Sequence, residues 1–201
     1  MKRLLRWGLV VALLLWTSLA GAQPSGEELK AARAVANAGL AVFKNGGFAE
    51  AFERFKLEND SAHQLVFAGA DWNGADTIRA RAAQSPVKDD IIFLGFIPLK
   101  SLPLLYSGCD LMVYPSLFEG FGFPIVEALA CGAPVVCSNT SSMEEIADDL
   151  LPTFDPTHVA EIFKSLENSV SKGWDAEMRA RGIEYALMFD WRETAQNVMG
   201  V

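Results

Sequence analysis

The 201-residue chain holds only three cysteines, Cys109, Cys131 and Cys137, and only two histidines, His63 and His158. The cysteines lack metal-ligand spacing and lie in apolar stretches, so they read as small buried side chains and not as a metal site. An odd, core-placed set of thiols suits a reducing compartment. Cations are also in short supply: 17 Lys and Arg face 25 Asp and Glu, a net charge of −8. That balance argues against nucleic acid as a partner. The longest apolar run, Gly8 to Trp16, is too short for a comfortable membrane span of about 20 residues. Against these scarcities, 51% of the residues are hydrophobic and 21% charged. A packed core is therefore expected and global disorder is not.

The first residues carry a pattern of their own. Lys2, Arg3 and Arg6 precede the apolar run, and Ala20-Gly21-Ala22 follows it as a small-x-small site. This is the layout of a secretory signal peptide over residues 1–22, read as a helix. Left uncleaved, it would be the chain's one contact with a membrane. Export is favoured by this segment and a cytoplasmic location by the chemistry that follows it.

Residues 23–60 have helical texture. Ala32, Val35, Ala36, Gly39, Leu40 and Phe43 recur at three- and four-residue steps. Asn45-Gly46-Gly47 interrupts them, and a second helix then places Phe48, Ala51, Phe52 and Phe55 on one face. The hairpin over residues 26–57 resembles a single tetratricopeptide repeat without the usual closing proline, and one such repeat cannot bury its own face. The other reading of the segment takes Ala34 to Gly39 as a strand, for which its alanine-rich texture is poor.

From residue 61 onward the texture changes to strands alternating with helices. Short apolar runs at 64–69, 91–95, 111–114, 134–138 and 150–154 read as strands. Helical patterns at 75–83, 99–107, 124–131, 142–148, 157–170, 175–188 and 191–199 separate and follow them. Strands apolar throughout, alternating with helices, mean a parallel sheet covered on both faces. Ligands of such folds bind beyond the carboxyl ends of the strands. Gly69, Gly95 and the loop Ser116 to Phe123 fall at those ends. Ser142, with Glu145 three residues on, is placed to cap its helix.

The most informative stretch is YPSLFEGFGFPIVEALACGAPVV, residues 114–136. It reads as a strand end, a glycine-rich loop and a helix opening on Pro124. Backbone N–H groups delivered by such a loop to a helix start form a phosphate cradle. Gly120 and Gly122 frame Phe121, a pattern for a loop that a ligand approaches closely; Phe121 and Phe123 can wall the ligand or pack in the core. Glu119 and Glu127 stand eight residues apart. That spacing alone carries nothing, since Glu50 and Glu58 share it. Their context does: one follows a strand end, and the other lies one turn into the helix. A carboxylate beside a phosphate cradle can accept hydrogen bonds from sugar hydroxyls, which points to a nucleotide that carries a sugar.

With QLVFAGAD, IIFLGFIP, LPLLYSGCDLMVYPS, CGAPVVCSNTSSMEEIA and FDWRETA in order around it, this stretch resembles the donor-binding half of the family-4 retaining glycosyltransferases. The resemblance covers residues 61–200. It implies a Rossmann-like α/β domain, one half of the two-domain GT-B architecture, and hexosyl transfer from a nucleotide sugar without a metal or other cofactor. It implies that Glu119 contacts the transferred sugar and Glu127 the ribose hydroxyls. N–H groups of Gly122 and Phe123 would face the sugar and diphosphate, and the backbone of Phe96 and Ile97 the base. Lys44, ahead of Asn45, is the candidate remnant of the family's diphosphate lysine. No D-x-D pair is present.

Departures from the family pattern are as telling. Such enzymes are about twice this length, because an N-terminal domain binds the acceptor and supplies a histidine; neither His63 nor His158 lies where that histidine would be. A separate acceptor-binding domain is thus an expected partner. An exported interaction module, or a chimera with a vestigial transferase scaffold, is the alternative reading. The donor half should also open with a strand that is central in the order 3-2-1-4-5-6. Without it two strands would stand about 9.5 Å apart with unpaired backbone groups. The chain must fill that slot, close the gap otherwise, or be poorly stable.

Overall fold

The computed structural model describes residues 9–13, 39–40, 47–69 and 75–190. Its strands are β1 (Leu9–Leu13), β2 (Gly39–Leu40), β3 (Gln64–Ala68), β4 (Ile91–Gly95), β5 (Leu111–Tyr114), β6 (Val135–Ser138) and β7 (Thr153–Phe154). Its helices are α1 (Gly47–Glu58), α2 (Ala75–Ala83), α3 (Leu102–Gly108), α4 (Phe123–Ala130), α5 (Ser142–Ala147), α6 (Val159–Lys172) and α7 (Ala176–Leu187). Across the sheet the order is β4-β3-β1-β5-β6-β7, every neighbouring pair parallel. This is the expected doubly wound order, with β1 in the central place.

The occupant of that place differs from the sequence reading. Residues 9–13, expected as part of a signal-like helix, form a strand. Leu9 to Leu13 pair with Gln64 to Ala68 on one side, and Val10 and Val11 with Leu111 and Met112 on the other. The physical reason is the slot itself: an apolar run of five residues satisfies the unpaired backbone groups of two flanking strands. Periodicity cannot separate such a run from a helical segment. The first helix of the expected hairpin does not run through residues 39–40 either. There β2 lies parallel to β3, with Gly39 opposite Leu65 and Leu40 opposite Val66. Sheet pairing has overridden the alanine-rich local preference. The remainder of that helix, Lys44, and the last expected helix at 191–199 lie outside the described residues.

Strand alternation sends side chains to two cores, one on each face of the sheet. Val66, Met112, Tyr114, Val135 and Cys137 pack with Leu105, Tyr106, Ile125, Leu129 and Met143 from helices on one face. Leu65, Phe67, Leu111, Val113 and Val136 pack with Phe48, Phe52, Phe55, Ile162 and Leu166 on the other. The stripe Phe48, Ala51, Phe52 and Phe55 is buried as the spacing predicts. It buries itself within the domain, where α1 packs against α6. Cys109 and Cys137 are buried, Cys131 is half-buried, and all three are free thiols. Burial pushes Cys131 up to about 11 and Cys137 to about 12, so both stay protonated and inert. Among the described residues no helix is long and apolar enough to cross a membrane.

Candidate functional site

The sheet order reverses between β1 and β5, and the chain leaves β5 there to form the loop 115–122. Helix α4 starts directly on that loop, one residue earlier than its proline suggests, with Pro124 in the first turn, where a missing N–H costs nothing. Gly122 is the residue before the helix. Its φ of 115° is one that L side chains rarely adopt, and a Cβ would stand 3.2 Å from Ile146 Cδ1. Glycine is therefore required there. Gly120 meets nothing within 4 Å, so openness and not sterics describes it.

The loop is tied down by the segment after β6. Ser142 Oγ donates to the carbonyls of Glu119 (3.0 Å) and Phe121 (2.5 Å). The backbone N–H of Glu119 donates to Ser141 Oγ at 3.0 Å, and Thr140 Oγ1 donates to the Ser116 carbonyl at 3.3 Å. Ser116 Oγ donates to Glu119 Oε1 at 2.6 Å, fixing the carboxylate from within the loop. Ser142 is thus not the expected helix cap. Ser141 occupies the N-cap position with φ 54° and makes no side-chain cap bond. A non-glycine residue in that region is strained, and strain gathers where a loop must be held in one shape.

A tyrosine holds the second glutamate. Tyr106, 1% exposed, donates its hydroxyl to Glu127 Oε2 at 3.0 Å. Burial raises Glu127 above the usual carboxylate range, and the Tyr106 hydrogen bond opposes that rise. The Tyr114 phenol, buried beneath the loop, is pushed well up by burial and then by Glu119, with Glu127 acting on it as well. Both carboxylates of the motif thus act electrostatically on the phenol at the end of β5.

The remaining expected residues divide. Phe96 follows Gly95 at the end of β4 and is 67% exposed, free to meet a ligand; Ile97 packs partly onto the core. Gly69 N–H donates to the Gly95 carbonyl at 2.8 Å, binding two strand ends together beside the crevice. Phe121 and Phe123 contact each other with ring centroids 4.6 Å apart, and Phe121 meets Phe189 edge-on at 5.6 Å. The Phe121 ring thus belongs to an aromatic cluster with the chain beyond α7. Sequence reasoning missed Tyr106, Ser116, Ser141 and Ser142. They come from three separate segments, and only the LYSG and SNTSS strings offered a signal. Among the described residues no group of three or more His, Cys, Asp and Glu could hold a metal ion.

Residues 45–187 match the family model described as glycosyl transferases group 1, and the match takes in α1 as well as the loop and both glutamates. The chain belongs to that family. It is 34% identical over 157 residues to O-antigen chain mannosyltransferase B of Escherichia coli, covering 76% of this chain and 40% of that protein. It is 29% identical over 150 residues to the D-inositol 3-phosphate glycosyltransferase of Acidothermus cellulolyticus, covering 70% and 33%. Among solved structures, Anabaena HepE in complex with UDP and glucose superposes with a TM-score of 0.69 at 18% identity, covering 89% of this chain and 53% of that one. The C-terminal domain of the group 1 protein LpcC from Francisella tularensis gives a TM-score of 0.55 at 23% identity, covering 72% and 77%. At these identities the likeness is one of fold, the α/β fold of GT-B glycosyltransferases. This chain spans less than half the length of the curated relatives it matches.

Proposed function

We propose that this chain is the nucleotide-sugar-binding half of a retaining hexosyltransferase of the family-4 type, completed by a separate acceptor-binding domain. The observation that carries the reading is the glycine-gated helix start at the point where the sheet order reverses, with Glu119 fixed by Ser116 and Glu127 by Tyr106. Glu127 accepts hydrogen bonds from the ribose hydroxyls. Glu119, fixed by Ser116, positions the transferred sugar. The N–H groups of Gly122 and Phe123 face the diphosphate and offset the charge that grows on it as the glycosidic bond breaks. Exposed Phe96 and the adjoining Ile97 backbone border the base. The complexes of Anabaena HepE with UDP and with UDP-glucose support this class of donor. No metal enters the reading.

Calorimetric titration of the full chain with UDP, GDP and ADP tests it. One nucleotide is expected to bind, and Glu127→Ala is expected to weaken that binding at least about tenfold, the worth of a charged hydrogen bond. Unchanged affinity in the variant removes Glu127 from the site and the proposal with it.

A further inference from the structure

Tyr106 and Glu127 are 21 residues apart, on α3 and α4, and the contact between them is made in the interior. Tyr106 is buried in the core cluster formed by Leu102, Leu105, Ile125 and Leu129. A buried phenol hydroxyl must find an acceptor. The acceptor found is one oxygen of the very carboxylate that the proposed function assigns to the ribose. A glutamate has three side-chain torsions to order when a ligand arrives, and a hydrogen bond made beforehand fixes its terminal group. An ionised carboxylate offers about four lone-pair directions, so the bond to Tyr106 leaves capacity for two ribose hydroxyls.

We infer that Tyr106 is a positioning residue for the donor: its buried hydroxyl holds the Glu127 carboxylate in the orientation that the ribose requires. This rests on the proposed role of Glu127 and extends it to a residue that never touches the ligand. Among the described residues, the titratable groups that act on Glu127 or feel it are Tyr106 from α3, Cys131 at the end of α4 and Tyr114 from β5. Burial keeps all three neutral. Glu119, on the loop, acts on Tyr114 as well. The hydroxyl of Tyr106 is thus the group that opposes the burial-driven rise of Glu127. Without it, protonation of Glu127 sets in at higher pH, and a protonated carboxyl accepts ribose hydroxyls less well.

The test is nucleotide affinity by calorimetry on the full chain across about pH 4 to 8, for the native protein, Tyr106→Phe, Glu127→Gln and the double variant, using the nucleotide that the native chain binds. Tyr106→Phe removes one oxygen and keeps the ring. It is expected to weaken binding about tenfold near neutral pH and to move the acid-side loss of affinity to higher pH. In the Glu127→Gln background the same change is expected to have little further effect, which a general packing defect would not reproduce. Carboxyl carbon NMR of Glu127 in the ligand-free protein gives the second readout, expected to titrate at higher pH in Tyr106→Phe. Native affinity and an unmoved acid limb in Tyr106→Phe, with binding lost in Glu127→Gln, overturn the role of Tyr106 and leave the proposed function standing. Native affinity in Glu127→Gln overturns both.

Discussion

Burial, followed by the Lys56 ammonium, pushes the His63 imidazole from 6.5 down to about 4. The ring meets Phe55 edge-on at 5.6 Å, its Nδ1 lies 2.6 Å from Ser61 Oγ, and its backbone N–H donates to that same oxygen. The folded state therefore holds His63 neutral where the unfolded chain would protonate it. The resulting stability is fully present above pH 6.5 and is lost as pH falls through about 4. Its size is about 3 kcal/mol at most. Urea midpoints of the native chain are expected to fall across that window, and those of His63→Gln to fall less. The same scale holds a contrast between two glycines of one loop. Gly122→Ala places a Cβ at φ 115° and 3.2 Å from Ile146 Cδ1, and is expected to cost about 1–3 kcal/mol. Gly120→Ala meets nothing within 4 Å and is expected to leave the thermal midpoint nearly unchanged. Both glycines were legible in the sequence as loop residues. Which of them is compulsory was not, because that depends on a side chain 24 positions away.

At the scale of elements, most of the sheet and its helices could be read directly. The strands at 91–95 and 111–114 and the helix at 75–83 have the boundaries their patterns predict. Apolar continuity marks a strand buried on both faces, and local signals bound it. The start of α5 shows where such reading fails. Ser142 and Glu145 have the spacing of a capping box, yet the Ser142 hydroxyl reaches across to the loop after β5. A serine has one proton to give, and two carbonyls of that loop compete for it with the local helix. Ser142→Ala is expected to lower stability by about 1 kcal/mol and to raise amide exchange at residues 119–122 far more than in β6. Equal exchange in loop and strand would show that the loop keeps its shape without the clamp. The acidic end of the motif follows the same logic: Glu119 and Glu127 stand out by their context, whereas Tyr106, Ser141 and Ser142, which bond to them, come from other elements.

For the whole molecule, the decisive element is β1. It pairs along five residues with β3 and at two with β5, joining the two halves of the sheet. A leader cleaved after Ala22 would take this strand away. Each buried backbone group left unpaired costs about 1–3 kcal/mol, against a domain stability of about 5–15 kcal/mol. A chain beginning at residue 23 is expected to unfold at much lower urea than the full chain, or to populate a loosened state with collapsed NMR dispersion. Equal midpoints would show that another segment takes the slot; β2 already lies parallel to Leu65 and Val66, the residues that β1 also pairs with. The measurement thus shows whether the fold depends on residues 9–13.

By itself the sequence determined the layer order, the parallel sheet, the buried stripe of α1, and the loop with its two glutamates. These are written in local periodicity, in glycine and proline placement and in one contiguous motif, all of which act over a few residues. The tertiary structure alone decided which segment fills the centre of the sheet, which serine holds the loop, and which tyrosine meets Glu127. Those outcomes depend on pairing backbone and hydroxyl groups that would otherwise be buried without partners. That cost is set by whatever the fold brings alongside, not by the neighbours in the chain.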